Sequence, residues 1–362
     1  IALFLRKVIL KCLEFNKLIK KMAKKFKATT AGSLPKYEWL AETETLWPKW
    51  KVSGNELWEK QKKSAMLWIE EQEKSGLEII SEGEQFRIHF VHGFLERIQG
   101  IDWNKKTKMG IRNDRYTVEV PTVVDVVSRA ESIHLKEAQI LREHTKQLTK
   151  FTLPGPMTIT DTIANDFYSS KQEMAMHFAQ LLNAEANELS QTGIDIIQFD
   201  EPAFNSFTNE SVEWGIEALE IAIKNLDCKT AVHICYGYGI DENLRWKDSL
   251  GNQWNEYKTL FPALNDSNID QVSLEFAGSK VPAELMRLLS NKEIMVGVIT
   301  VVGDHIETPE EVKSNIAEAL KHVSKDQLIA CSNCGMAPIP IETAKLKIKA
   351  LGEGTKLANK VC

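Results

Sequence analysis

Cysteine is scarce in this chain. Six cysteines in 362 residues (Cys12, Cys228, Cys235, Cys331, Cys334 and Cys362) are too few and too irregularly placed for a disulfide framework. A reducing compartment fits them better, so a cytoplasmic location is expected. Long apolar runs are missing as well, and none would span a bilayer. Charge of one sign is also lacking. A formal net charge of −5 gives no reason to expect nucleic acid or an anionic membrane as partner. There is no internal repeat, no low-complexity linker and no G-x-x-x-x-G-K. Gly237 and Gly239 therefore read as places where backbone passes close to a site, not as a phosphate loop.

What is present is an ordinary globular composition, 43% hydrophobic and 26% charged. The N-terminal stretch differs. Basic residues from Arg6 to Lys27 face a single acid, Glu14, and Ile1, Leu5, Val8, Ile9 and Leu13 fit one helical face. Residue 1 is not Met, whereas Met22 opens Met22-Ala23-Lys24-Lys25. Residues 1–21 are expected to be an upstream extension or leader, and 22–362 a single domain.

Short β-rich runs alternate with amphipathic helical stretches. Strands are expected at 26–30, 77–82, 150–153, 194–199, 230–233, 271–275, 294–299 and 328–332. Helices are expected at 57–74, 128–148, 172–191, 212–224, 282–289 and 309–322. Eight such units predict an α/β fold of the (β/α)8 TIM-barrel type, with a hairpin at 112–124 outside it. A doubly wound open sheet is the alternative.

Polar residues follow the strands. In a barrel they collect at one mouth, where Gly32-Ser33, Glu84, Gly155-Pro156, Asp200-Glu201, His233, Cys235, Glu275 and Cys334 would meet. His233 and Cys235 are two apart on a strand and point the same way. A His, two thiols and a carboxylate, Glu275, suit a four-coordinate Zn2+ at the C-terminal mouth of the strands. Each has a plainer reading, as a small buried thiol or a hydrogen-bonded core His. Cys331 and Cys334 also form a C-x-x-C, which suggests a redox pair. Cys331, three positions from Cys334 along a strand, is expected to face away from it.

Asp200 and Glu201 could bind an amine or act as acid and base, or could serve as helix-capping acids. In Glu82-Gly83-Glu84-Gln85-Phe86-Arg87, one acid could take a substrate ammonium group, or the loop could simply be solvated. His89 and His92 are too close to each other, and too far from Cys235, to be counted as ligands.

Together these motifs resemble the catalytic barrel of the cobalamin-independent methionine synthase family. The matching pieces are Ala31-Gly32-Ser33-Leu34-Pro35, Gly83-Glu84, Gly155-Pro156-Met157-Thr158, Gln198-Phe199-Asp200-Glu201-Pro202-Ala203, His233-Ile234-Cys235, Glu275 and Asn333-Cys334-Gly335. The resemblance implies a zinc-dependent methyltransferase that makes methionine from homocysteine. It implies zinc held by His233, Cys235, Glu275 and Cys334, and homocysteine bound through Ser33, Glu84 and Asp200.

Three departures bear on the methyl donor. The chain leaves no room for the second, N-terminal barrel of the folate-dependent enzymes. Thr162 stands where that group has a pterin-stacking aromatic. The run Thr300-Val301-Val302 lacks the His expected to shuttle a proton, and His305 is out of register. The chain is therefore more similar to the short stand-alone members, with a corrinoid or a partner protein supplying the methyl group and free methyl-tetrahydrofolate an unexpected donor. Two other readings stay open. One is a related methyltransferase with another thiol acceptor or corrinoid donor. The other is a non-catalytic zinc- or homocysteine-binding subunit.

Overall fold

The structure is a computed structural model and describes residues 25–45, 47–239, 241–251 and 254–362. The expected extension at 1–21, and the helical face from Ile1 to Leu13, lie outside the described residues.

In chain order the strands are β1 (Ile79–Ile80), β2 (Gln99–Ile111), β3 (Tyr116–Ser128), β4 (Leu148–Pro154) and β5 (Ala164–Asn165). They continue with β6 (Ile196–Asp200), β7 (Lys229–Ile234), β8 (Gln271–Glu275), β9 (Glu293–Ile299) and β10 (Leu328–Ser332). Seven form one parallel sheet in the order β1-β4-β6-β7-β8-β9-β10, with helices between them. Each of these strands neighbours the next one of its sheet in sequence, as in a TIM-barrel-like curl and unlike an open doubly wound sheet, whose order reverses at a switch point.

The eighth expected strand is not a full strand. Residues 27–29 nonetheless join the two sheet edges. Thr29 N–H donates to the Ala330 carbonyl (2.9 Å), Ala330 N–H to Lys27 (2.8 Å), and Ile79 N–H to Ala28 (3.2 Å). The ladder stops there because side chains take over the next backbone groups. Ser332 Oγ accepts from Ala31 N–H (2.9 Å), and Lys150 Nζ donates to the Thr30 carbonyl (2.6 Å). The seam is also tied to the last helix, Ile341–Val361, where Asn359 bonds both the N–H and the carbonyl of Phe26 (3.1 and 2.9 Å).

Side chains alternate across the strands. Ile196, Ala231, Met295 and Ile329 pack with Ala31, Ile79 and Cys331 inside the curl, while Ile197, Val232, Ile294 and Val296 join the larger core under the helices. Parallel register then aligns the strand ends. Pro154 pairs with Asp200, Asp200 with His233, and Glu275 with Gly297. The sequence motifs at those ends therefore meet at one mouth.

Several boundaries differ from expectation. β2 and β3 form a long antiparallel hairpin, joined by β5, instead of the short one at 112–124. β3 runs to Ser128, so the helix expected from 128 begins only at Leu135 (Leu135–His144). The helix around 212–224 carries a π-turn at Ser211–Gly215, and Ala283–Leu289 is a 3-10 helix. No helix among the described residues is long and apolar enough to cross a membrane.

Candidate active site

His233 is the next-to-last residue of β7, and its two ring nitrogens have different surroundings. Its Nδ1 meets the Ser273 hydroxyl of β8 at 2.8 Å, while its buried Nε2 has no hydrogen-bond partner. Cys235 and Cys334 bring their sulfurs to 3.4 Å of each other. All three residues are buried, and their potential ligand atoms lie within 4.8 Å of one another. An orphaned imidazole nitrogen facing two thiols is a donor set that fits a borderline-soft metal such as zinc. The hydrogen bond from Cys334 holds the Cys235 thiol well below its ordinary pKa, against burial and with help from His233. Burial opposes protonation of His233, but Cys235 and Asp200 outweigh it and raise the value. Asn205 Nδ2 pins the Cys235 carbonyl at 2.6 Å.

Glu275 ends β8 as expected, but does not join this group. Its carboxylate accepts from Lys247 Nζ (2.7 Å) and from the Tyr236 N–H (3.1 Å). The expected set of four thus comes together as three, with the fourth residue one strand away in an ion pair. Cys331 faces the interior cluster with Met295, on the other side of a register shift between Cys331 and Ser332. As expected it packs apart from Cys334, which belongs to the other core cluster and has Cys235 as its sulfur neighbour.

Ser33, Glu84 and Asp200 line the same cavity as His233, Cys235 and Cys334. Ser33 Oγ lies 3.1 Å from Tyr238 Oη. Gly335 is required beside it, since a Cβ there would come within 2.0 Å of Ser33 Oγ. Glu84 has a left-handed backbone, φ +58°, which disfavours a non-glycine residue and signals strain held by surrounding contacts. Lys36 Nζ holds its carbonyl (2.7 Å) and Thr152 Oγ1 donates to its Oε1 (2.9 Å). Arg87 and Glu82 pair beneath it at 2.8 Å.

The two adjacent acids divide their work. Asp200 faces the cavity, its Oδ1 accepting from Gln198 Nε2 (2.7 Å), and burial pushes its carboxyl up to about 7 against the pull of His233. Glu201 turns away to cap the short helix Pro156–Thr160, accepting from Met157 N–H (2.9 Å), Thr158 N–H (2.8 Å) and Thr158 Oγ1 (2.6 Å). Gly155 makes room for it, since a Cβ there would meet Glu201 Cδ at 2.1 Å.

The opposite wall was not legible in advance. The hairpin turn carries Arg112, Arg115 and Tyr116 to the cavity, and Trp47 stacks on His89 with ring centres 3.7 Å apart. His89 and His92 also line it, but burial keeps both neutral, His92 down to about 4. Thr162 is there too, its hydroxyl donating to the Thr158 and Ile159 carbonyls (both 3.0 Å). His305 is not; it is exposed and bonded to Glu311 (3.1 Å).

Comparison with known proteins places the chain in a family. The family model described as "Cobalamin-independent synthase, Catalytic domain" matches residues 26–356. A methionine synthase of Sulfurisphaera tokodaii is 30% identical over 332 residues, covering 91% of each chain. One of Saccharolobus islandicus is 29% identical over 333 residues, covering 91% of this chain and 93% of its own. A solved structure of a B12-independent methionine synthase from a Shewanella species, in complex with selenomethionine, superposes with a TM-score of 0.91 at 49% identity. That match covers 93% of this chain and 98% of the other. The protein is thus a methyltransferase, and it belongs to the cobalamin-independent methionine synthase family through that family's catalytic domain.

Proposed function

We propose that this enzyme holds one zinc ion through His233, Cys235 and Cys334, with Glu275 as fourth ligand, and methylates the thiol of homocysteine to give methionine. The observation that carries the reading is the unpartnered His233 Nε2 beside two thiols, in a cavity shared with Ser33, Glu84 and Asp200. The selenomethionine bound by the Shewanella relative supports an amino acid of this shape in such a site.

Zinc, when bound, supplies thiol activation, making a coordinated thiol a thiolate at neutral pH. The chain's own residues do the positioning. Asp200 and Glu84 accept hydrogen bonds from the substrate ammonium, and Ser33 contacts the same amino-acid end. Fixing that end sets the direction of the sulfur, and orientation is the main contribution such a site makes. For Glu275 to serve as a ligand, an oxygen now held by Lys247 or by the Tyr236 N–H must turn toward the metal. Displacement at a methyl carbon is in-line, so the donor enters from the open mouth of the strands.

Free methyl-tetrahydrofolate is not an efficient donor in this reading. Thr162 offers no ring to stack on a pterin, and His305 lies outside the cavity, bonded to Glu311. A corrinoid or a partner protein supplies the methyl group.

The test is X-ray absorption at the zinc edge of the loaded enzyme. Saturating homocysteine is expected to add sulfur to the metal's surroundings. An unchanged spectrum would make any metal structural and remove the thiol-activation reading.

A further inference from the structure

Beneath the cavity, inside the curl of strands, sits a fully buried lysine. Lys150 on β4 shares the interior with Met295 and Cys331, a place that barrels usually fill with branched apolar side chains. Burying an ammonium group is costly unless its protons are matched. Here they are matched by neutral acceptors. Lys150 Nζ donates to the Thr30 carbonyl (2.6 Å), the Ala31 carbonyl (3.3 Å) and Gln198 Oε1 (2.7 Å).

Gln198 passes this on. Its Nε2 donates to Asp200 Oδ1 (2.7 Å) and to the Ala31 carbonyl (2.6 Å). An amide can sit either way round in most structures, but not here. Reversing it would set an NH2 against the ammonium and a carbonyl oxygen against the Asp200 carboxylate. The lysine therefore fixes the direction of the glutamine, and the glutamine fixes which Asp200 oxygen is engaged from below. The other oxygen is left for the cavity. The same ammonium ties the Thr30 and Ala31 carbonyls, three and two residues before Ser33. Both sides of the amino-acid cradle thus rest on one buried charge.

We infer that Lys150, acting through Gln198, is the positioning residue that makes the site select an amino-acid thiol over a thiol without an ammonium group. The inference rests on the proposed contact between Asp200 and the substrate ammonium. A lysine that only filled space would affect all ligands alike, whereas a lysine that orients Asp200 affects only those carrying the ammonium.

Two variants of the zinc-loaded, full-length protein test this. Lys150→Met removes the charge at similar length. Gln198→Met breaks the link while leaving the lysine, and serves if the first variant does not fold. Calorimetry measures binding of L-homocysteine and of the same thiol acid lacking its amino group, with zinc content measured alongside. Both variants should lose about tenfold or more in homocysteine affinity. Binding of the amino-free acid and zinc content should stay unchanged. Equal losses for both ligands, or unchanged discrimination in a folded variant, would overturn the inference alone. If the wild-type protein itself does not discriminate, the assignment of Asp200 to the ammonium falls, and the inference with it.

Discussion

Removing one hydroxyl, by Ser273→Ala, should weaken metal binding without touching a ligand. Ser273 Oγ lies 2.8 Å from His233 Nδ1 and is buried, so no water can replace it without rearrangement. That contact holds the ring and settles which nitrogen is free to bind a metal, the role such outer partners play at histidine-ligated sites. Losing one typically lowers metal affinity by about 10–100-fold, which is about 1.4–2.8 kcal/mol. The fold loses only one ordinary buried hydrogen bond, about 1 kcal/mol. The two effects separate experimentally. Zinc affinity is read by competition with a chromogenic chelator, and metal-free stability by urea unfolding in excess chelator. Ser273→Thr keeps the hydroxyl and should recover most of the affinity. The reasoning fails if Ser273→Ala binds zinc as tightly as the wild type. It also fails if the metal-free protein loses more than the holoprotein does.

Cys334→Ser should lose bound zinc in metal analysis of protein purified without chelator; full occupancy would strike Cys334 from the ligand set. Asp200→Asn should weaken homocysteine binding by about 1.5–3 kcal/mol while leaving zinc in place, since it removes a charged hydrogen-bond acceptor; equal affinities by calorimetry would refute the contact. Only the ionised Asp200 attracts an ammonium, and burial raises its pKa to about 7, so its contribution is absent well below that pH and complete well above it. The affinity gap between wild type and Asp200→Asn should therefore widen as pH rises through 7, and a gap independent of pH would show that Asp200 does not titrate there. With methyl-tetrahydrofolate as sole donor, methionine formation should be slow, because the missing aromatic forgoes stacking of about 1–3 kcal/mol; efficient turnover would show that this wall binds folate by other means.

The strands that carry chemistry were the easiest to read. β8 and β10 fall on the expected residues, because each is a short apolar run followed at once by a polar motif. The parallel curl did the rest by aligning their ends. What could not be read depended on partners distant in sequence. Lys247 takes the Glu275 carboxylate from 28 residues away. Asp200 and Glu201 look alike in sequence, and only the helix at Pro156 decides that the second one turns away. β2 was missed because its middle is exposed on both faces, so no alternation marks it as a strand. Lys150 opens the expected strand at 150–153, and nothing near it in sequence marks it as buried; its acceptors come from residues 30, 31 and 198.

The seam has a consequence for how the molecule comes into being on the ribosome. Residues 27–29 emerge long before their edge partner Ala330 and the clamp at Asn359. Contacts so distant along the chain form late and leave an unpaired edge exposed in the meantime. Ser33 lies just past that edge, so its setting is complete only once Ala330 and Asn359 have been made. A chain broken off before β10 would hold the strand ends of β6 and β7 without the seam beside Ser33. Such fragments should be prone to pairing edge to edge, which makes the helix Ile341–Val361 a check on the closure of the seam.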